Sequence, residues 1–397
     1  MTTRRNVMLG TLAAGASIAL GTKLAAAQAA ASFPKPSQPL TINVVDVAGD
    51  LQLSQPALDK FAQAHPDLVA RMVYTQADAP ELASKLKAQQ AAGRVDMDLV
   101  LTGNDALAAG IAQNLWVEIL PKYASMFPDL EQLYSPGAYE MQQMTQGQGF
   151  VDDWTPSGPL LEYAPDRVTN VPDSAESLMA WAKANPNKFM YARPANSGPG
   201  RTFVMGLPYV LGDKDPKDPI NGWDKTWAYL KELGNYIEYY PSGTTATMKE
   251  LGDGTRDIIA TTCGWDINPR YLGIVPQEYK IATLKGFHWV GDANFMAIPK
   301  GVSDDRLGVL LQIIAYVLQP AQQAFMFDHA YMYPGPAIKN VALSTAPQDS
   351  QDTINQFGRP EYASLIANNP VEPPLGNTQL VAMFDKWDKD IGAAKHS

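Results

Sequence analysis

Apolar positions run along this chain in two alternating rhythms. Short continuous apolar runs at residues 40–47, 69–74 and 98–101 read as strands. Between them, residues 56–64, 80–92 and 105–113 carry apolar side chains at helical spacing. Pro80 stands at a favoured first helical position and Gly93 ends that helix. Alternation at this spacing predicts parallel strands covered by helices on both faces. The loops after the strands then share one edge, where such sheets expose backbone to ligands. Those loops bring Gly49 and Asp50 beside Gly103 and Asn104.

From 116 to 149 the pattern lapses into an irregular stretch rich in Pro, Tyr and Met. The run from Val151 to Pro159, with Trp154 and Ser157, marks a crossing into a second unit that begins at 160–164. There Asp173-Ser-Ala-Glu176 is a capping-box pattern that opens a helix with Leu178, Trp181 and Ala182 on one face. Strands are expected at 188–191, 257–261 and 281–284, and helices at 202–211, 224–236 and 245–251. Residues 295–298 lead into a helix at 303–318, and 321–327, 358–367 and 379–394 supply closing helices.

The 397 residues, 46% hydrophobic, suffice for two domains with separate cores. Residues 1–29 read as a twin-arginine export signal: Arg4-Arg5, an apolar run broken by Gly10 and Gly15, Lys23, and a small-residue cleavage site at Ala27-Gln28-Ala29. The whole chain carries −10; without Arg4, Arg5 and Lys23, 28 basic residues face 41 acidic ones, a net charge of −13. An acidic body argues against nucleic acid as a partner. Cys263 is the single cysteine, so no internal disulfide forms, and none near the signal's end could carry a lipid. Together these features predict a soluble protein of a bacterial periplasm, a monomer.

The candidate chemistry centres on Tyr191-Ala-Arg-Pro-Ala-Asn-Ser-Gly-Pro-Gly-Arg-Thr-Phe203. Asn196, Ser197, Gly198 and Gly200 precede a helix whose first turn favours an anionic or strongly polar group. Arg193 and Arg201 add charge-assisted donors. Three aromatic–acid pairs, Asp153-Trp154, Trp265-Asp266 and Trp289 with Asp292, lie at other loops, with Asn294 close by. A tryptophan face holds a cation or the apolar side of a sugar, and a carboxylate takes ammonium or hydroxyl. These two walls together predict a zwitterionic or hydroxylated carboxylate as ligand.

Catalytic and metal signals are thin. No His stands in H-E-x-x-H, and G-x-S-x-G, a P-loop and G-x-G-x-x-G are absent from the sequence. Ser84-x-x-Lys87 matches S-x-x-K on a polar helix face without its companion motifs. Asp213, Asp215 and Asp218 lack the glycine of a calcium loop, and Tyr239-Tyr240 lacks other hard-cation ligands. The reading is therefore no enzyme, no cofactor and no metal.

The order of these pieces resembles the solute-binding proteins of ABC importers, in the two-crossing class that includes polyamine, iron, thiamine and maltose binders. The resemblance runs from about Leu40 to Trp387 and is carried by Leu82–Ala88, Asp98–Gly103, Leu160–Pro165, Gly264-Trp265-Asp266 and Phe295–Gly301. It implies an α/β, two-lobe periplasmic-binding-protein fold of type II. Each lobe would be a mainly parallel sheet flanked by helices, joined by a two-crossing hinge. Lobe 1 would comprise 40–155 and 293–334, lobe 2 156–292 and 335–397. It also implies a membrane ABC permease as partner. A polyamine or thiamine-like cation binder is the neighbouring reading, and an exported enzyme on the same scaffold is the alternative.

Overall fold

The structure, a computed structural model, describes residues 33–395. The export-signal reading lies outside the described residues. The strands are β1 (Leu40–Asp46), β2 (Val69–Gln76), β3 (Leu99–Thr102), β4 (Phe150–Gly158), β5 (Leu160–Tyr163), β6 (Phe189–Met190), β7 (Ile258–Thr261), β8 (Lys280–Ala282), β9 (Trp289–Ala297), β10 (Gly335–Pro336) and β11 (Val371–Glu372). They form a 7-stranded sheet in the order β10-β4-β9-β3-β1-β2, with β11 added to β9, and a 4-stranded sheet β6-β7-β5-β8.

The first three strands run parallel, as the alternation of strand and helix demands. The helix Leu51–Ala64 covers them by burying Leu53, Ala57, Leu58 and Phe61, one face of its turns. The sheets as wholes are mixed rather than mainly parallel. β4 carries the chain out of the first lobe and β9 carries it back, so they pair antiparallel, and β9 is antiparallel to β3. In the second sheet β5 is antiparallel to both β7 and β8, and only β6 runs parallel to β7. The two crossings thus lie side by side as one ladder, from Phe150 opposite Met296 to Gly158 opposite Val290.

Each lobe has its own core. Ile42, Val44, Leu101, Phe295 and Leu310 belong to the first. Phe189, Phe203, Trp223, Leu230 and Ile258 belong to the second. The stretch 116–149 is more ordered than its polarity suggests. The helix Pro136–Met144 lies there, and its buried Gln142 donates to the Gly149 carbonyl and accepts from the Val151 N–H. A buried polar side chain with every bond made leaves no apolar signature. The capping box at Ser174 is closed by Ser177 and not by Glu176.

The tail is divided between the lobes. β10 and β11 extend the first sheet. The helix Asn377–Asp390 sends Leu380, Met383 and Trp387 into the second core. The same helix packs along Asn104–Ala112 of the first lobe. Residues 335–397, assigned above to the second lobe, therefore touch both. Among the described residues, no single helix is long and apolar enough to cross a membrane.

Candidate functional site

The helix expected from Thr202 starts four residues earlier, inside the Gly-rich loop. The helix Gly198–Leu211 starts at Gly198, with Pro199 in its first turn and Ser197 Oγ accepting from the Gly200 N–H at 3.1 Å. A helix start of this kind attracts negative charge. The chain supplies that charge itself. Asp292 Oδ2 lies 2.8 Å from Arg201 Nη2, and 3.1 Å from where a Cβ on Gly198 would stand. Asp105 Oδ2 sits 3.5 Å from Arg201 Nη1. Asn104 Nδ2 donates to Asp292 Oδ1 at 2.7 Å. Arg201 comes from the second lobe, Asp105 from the first and Asp292 from the returning crossing, so the pairing bridges the gap between the halves.

These side chains are only 6% (Arg201), 7% (Asp292) and 15% (Asp105) exposed. Burial alone would weaken the Arg201 guanidinium as a cation, but Asp292 and then Asp105 outweigh it and raise its pKa. For Asp105 burial wins over the Arg201 attraction, and the carboxyl is raised above its usual range. Arg201 Nε has no hydrogen-bond partner.

The cluster forms one wall of an inter-lobe cleft of about 230 Å³. Trp265 and Tyr331, ring centroids 5.2 Å apart, form an aromatic wall. Ser157, Asn196, Ser197, Thr244, Thr245, Thr262 and Asn294 add hydroxyls and amides. The halves approach closely beside Trp265. Gly264 has φ +99°, and a Cβ there would fall 2.4 Å from the Tyr331 carbonyl oxygen, so no other residue fits.

Of the residues singled out in the sequence, Gly103, Ser157, Asn196, Ser197, Gly198, Arg201, Trp265, Asp292 and Asn294 line the cleft. Asn104 stands behind Asp292, as its hydrogen-bond partner. The others lie elsewhere, each for a visible reason. Gly49 (φ +81°) sits under the Tyr331 hydroxyl, and a Cβ there would fall 2.5 Å from it. Asp50 is fully buried at the start of the helix Leu51–Ala64. Trp154 packs into the first core, against Gly137. Arg193 turns outward to Asp388 at 3.2 Å and lies over the Trp387 ring. Gly200 is buried within the first helical turn. Trp289 is fully buried, its Nε1 donating to the Leu365 carbonyl at 3.1 Å. Asp266 is sealed from solvent, bonded to Arg359 and the Tyr362 hydroxyl.

Asp105, Thr244, Thr245, Thr262 and Tyr331 also line the cleft without having been singled out as site residues. Asp105 and Thr262 stand in strand-end loops of the kind expected to face ligands; for the isolated threonines and Tyr331 the local sequence holds no signal. Asp213 and Asp218 accept from backbone N–H groups of Thr226 and Ile220, ordering turns. Tyr239 bonds Glu250 and Tyr240 is buried in the second core. Cys263 is buried, which pushes its thiol pKa well up.

Residues 57–354 match the family described as bacterial extracellular solute-binding protein. No curated protein sequence matches the chain. Several solved structures share its fold. A putative spermidine/putrescine ABC transporter protein from Listeria monocytogenes is 15% identical, with a TM-score of 0.60, over 88% of this chain and 98% of that one. A periplasmic thiamin binding protein is 14% identical, with a TM-score of 0.62, over 92% and 100%. A periplasmic binding protein from Actinobacillus pleuropneumoniae, with exogenous fructose-6-phosphate bound, is 12% identical, with a TM-score of 0.64, over 90% and 99%. At such identities the likeness is one of fold: two lobes of the type II periplasmic-binding-protein kind. The chain belongs to the bacterial extracellular solute-binding proteins, a family of binders rather than enzymes.

Proposed function

We propose that this chain is the periplasmic receptor of an ABC importer, and that its solute is a small polar molecule bearing an ammonium group or several hydroxyls. One observation carries the choice of solute: Arg201 is held between Asp105 and Asp292. Two carboxylates against one guanidinium leave that wall with surplus negative charge. The first turn of the helix Gly198–Leu211, which would otherwise invite an anion, already has Asp292 beside it. Trp265 and Tyr331 offer ring faces for a cation or a sugar face. The volume of about 230 Å³ is below the roughly 300–1,000 Å³ of drug-sized pockets, which suits a metabolite. The structural neighbours fit this range without choosing within it, since their titles name polyamines, thiamin and a sugar phosphate. Solute binding closes the lobes, and the closed form is read by an inner-membrane permease.

A second reading rests on the looser of the two pairs. At 3.5 Å, Asp105 holds Arg201 less tightly than Asp292 does at 2.8 Å. A zwitterionic or hydroxylated carboxylate could take its place on Nη1. The sign of one substitution separates the readings. Thermal melting against a panel of polyamines, amino acids, sugars and hydroxy acids first finds a solute, which stabilises by about 2.7 kcal/mol at a hundredfold over its Kd. Calorimetry is then repeated on Arg201→Ala. A cationic or polyol solute should bind as well or better, because two carboxylates are released. A carboxylate solute should lose about 1.5–3 kcal/mol. A protein that no compound stabilises, or that converts the compound, would end the receptor reading.

A further inference from the structure

Behind the cleft wall three carboxylates meet, and no cationic side chain among the described residues pairs with them. Asp50 stands at the start of the helix Leu51–Ala64, and Asp152 and Asp153 are neighbours in the crossing strand β4. One oxygen from each lies within 4.8 Å of the other two. All three residues have 0% exposure. Neither oxygen of Asp50 has a hydrogen-bond partner, nor does Asp152 Oδ2 or Asp153 Oδ1. A buried ionised carboxylate without a partner is strongly unfavourable, and three together are worse.

Two nearby sets of donors are committed to other carboxylates. Asp46 accepts from the N–H groups of Ala48, Gly49, Asp50 and Leu51. Arg201 is taken by Asp105 and Asp292. Among the described residues two donors reach in: the Asp153 N–H, to Asp152 Oδ1 at 3.0 Å, and Asn294 Nδ2, to Asp153 Oδ2 at 2.9 Å. The strand itself is adjusted to make the meeting. Successive side chains of a strand point to opposite faces, yet Asp152 and Asp153 both converge on Asp50. The β4–β9 register shifts between Val151 and Asp153, an irregularity of the kind that re-aims a side chain.

We propose that Asp50, Asp152 and Asp153 form a binding site for a hard divalent cation, calcium or magnesium, that ties the first turn of the helix Leu51–Ala64 to the outgoing crossing. An all-carboxylate donor set suits such ions and disfavours soft metals. Asn294, which lines the cleft from the returning crossing, holds the outer oxygen of Asp153. The cation therefore fixes both crossing strands directly behind the solute.

The test uses the purified full chain, stripped with a chelator and melted with calcium, magnesium or manganese added singly. One of these ions should raise the midpoint by several degrees, and calorimetry should give one ion per chain. Asp50→Asn and Asp152→Asn should each abolish the response. A wild-type midpoint indifferent to all three ions, or a full response in Asp50→Asn, overturns the site and leaves shared protons as the means of relief. Should both variants fail to fold, the wild-type titration decides alone: no saturable one-to-one binding overturns the site.

Discussion

Two buried carboxylate–guanidinium clusters flank the two crossing strands, and they are built on opposite principles. In the cleft, Asp105 and Asp292 share the single Arg201. Beneath the tail, Asp266 and Glu162 meet two arginines. Arg359 Nε is 2.6 Å from Asp266 and its Nη2 3.7 Å from Glu162, while Arg270 Nη2 is 3.9 Å from Asp266. The second cluster is electrically balanced, and Arg270 also donates to the Asp266 and Gln277 carbonyls. It fastens the loop after β7 to the segment that carries Arg359 and Tyr362, and none of its four charged residues lines the cleft. The first is short of one positive charge and faces the cavity. Trp265 and Asp266 are adjacent in sequence, yet the ring belongs to the cleft and the carboxylate to the sealed cluster. A balanced buried cluster reads as architecture; an unbalanced one beside a cavity reads as an offer to a ligand.

The sharpest way to break this contrast is Arg359→Ala. It leaves two fully buried carboxylates with Arg270 as their one remaining arginine and should cost about 3–5 kcal/mol of stability, read by denaturant unfolding. Solute affinity per folded molecule should stay unchanged; a loss of affinity without a loss of stability would reverse the assignment. Trp265→Ala should do the opposite: little change in unfolding, but about 0.5–2 kcal/mol less affinity for a cationic solute by calorimetry.

A smaller effect follows from Asp105, whose carboxyl burial raises. A raised carboxyl favours the fold when protonated and loses that contribution as pH rises through its folded value. Asp105→Asn should therefore gain stability over wild type at pH 7 and show no such gain near pH 4, about the ordinary carboxylate value. On the same grounds, affinity for a cationic solute should fall as the pH drops through the raised Asp105 value, in calorimetry at two pH values. The smallest change belongs to Arg193→Ala. That residue flanks the same Gly-rich loop as Arg201 but pairs with the half-exposed Asp388. It should cost under about 1 kcal/mol of stability and leave affinity alone.

These paired cases also mark what a sequence can disclose. The early strands and the helices after them were legible, because burying one face imposes a period that survives in the text. The Gly-rich loop was legible as the approach to a helix, but the start was read at Thr202, whereas Ser197 caps a helix that begins at Gly198. What fills that start was not legible, because Asp292 is 91 residues from Arg201. Asp266 and its arginine are 93 residues apart, so a sealed ion pair and a ligand-facing one look alike until the chain is folded. The length of β9 was missed for a different reason. Gly291 and Asp292 are poor strand formers, and they are held extended by the neighbouring crossing rather than by their own preference.

The helix Asn377–Asp390 adds a mechanical consequence. Its apolar stripe, with Leu380, Met383 and Trp387, is anchored beside Tyr191 and Tyr240, while it also runs along the alanine-rich helix Asn104–Ala112. Small side chains on that partner make a shallow seam with few interlocking knobs. On the proposed closing motion, parting the lobes would make the seam slide or unzip while the anchored stripe stays put. Such a motion would be governed at its rear as well as at the two crossing strands.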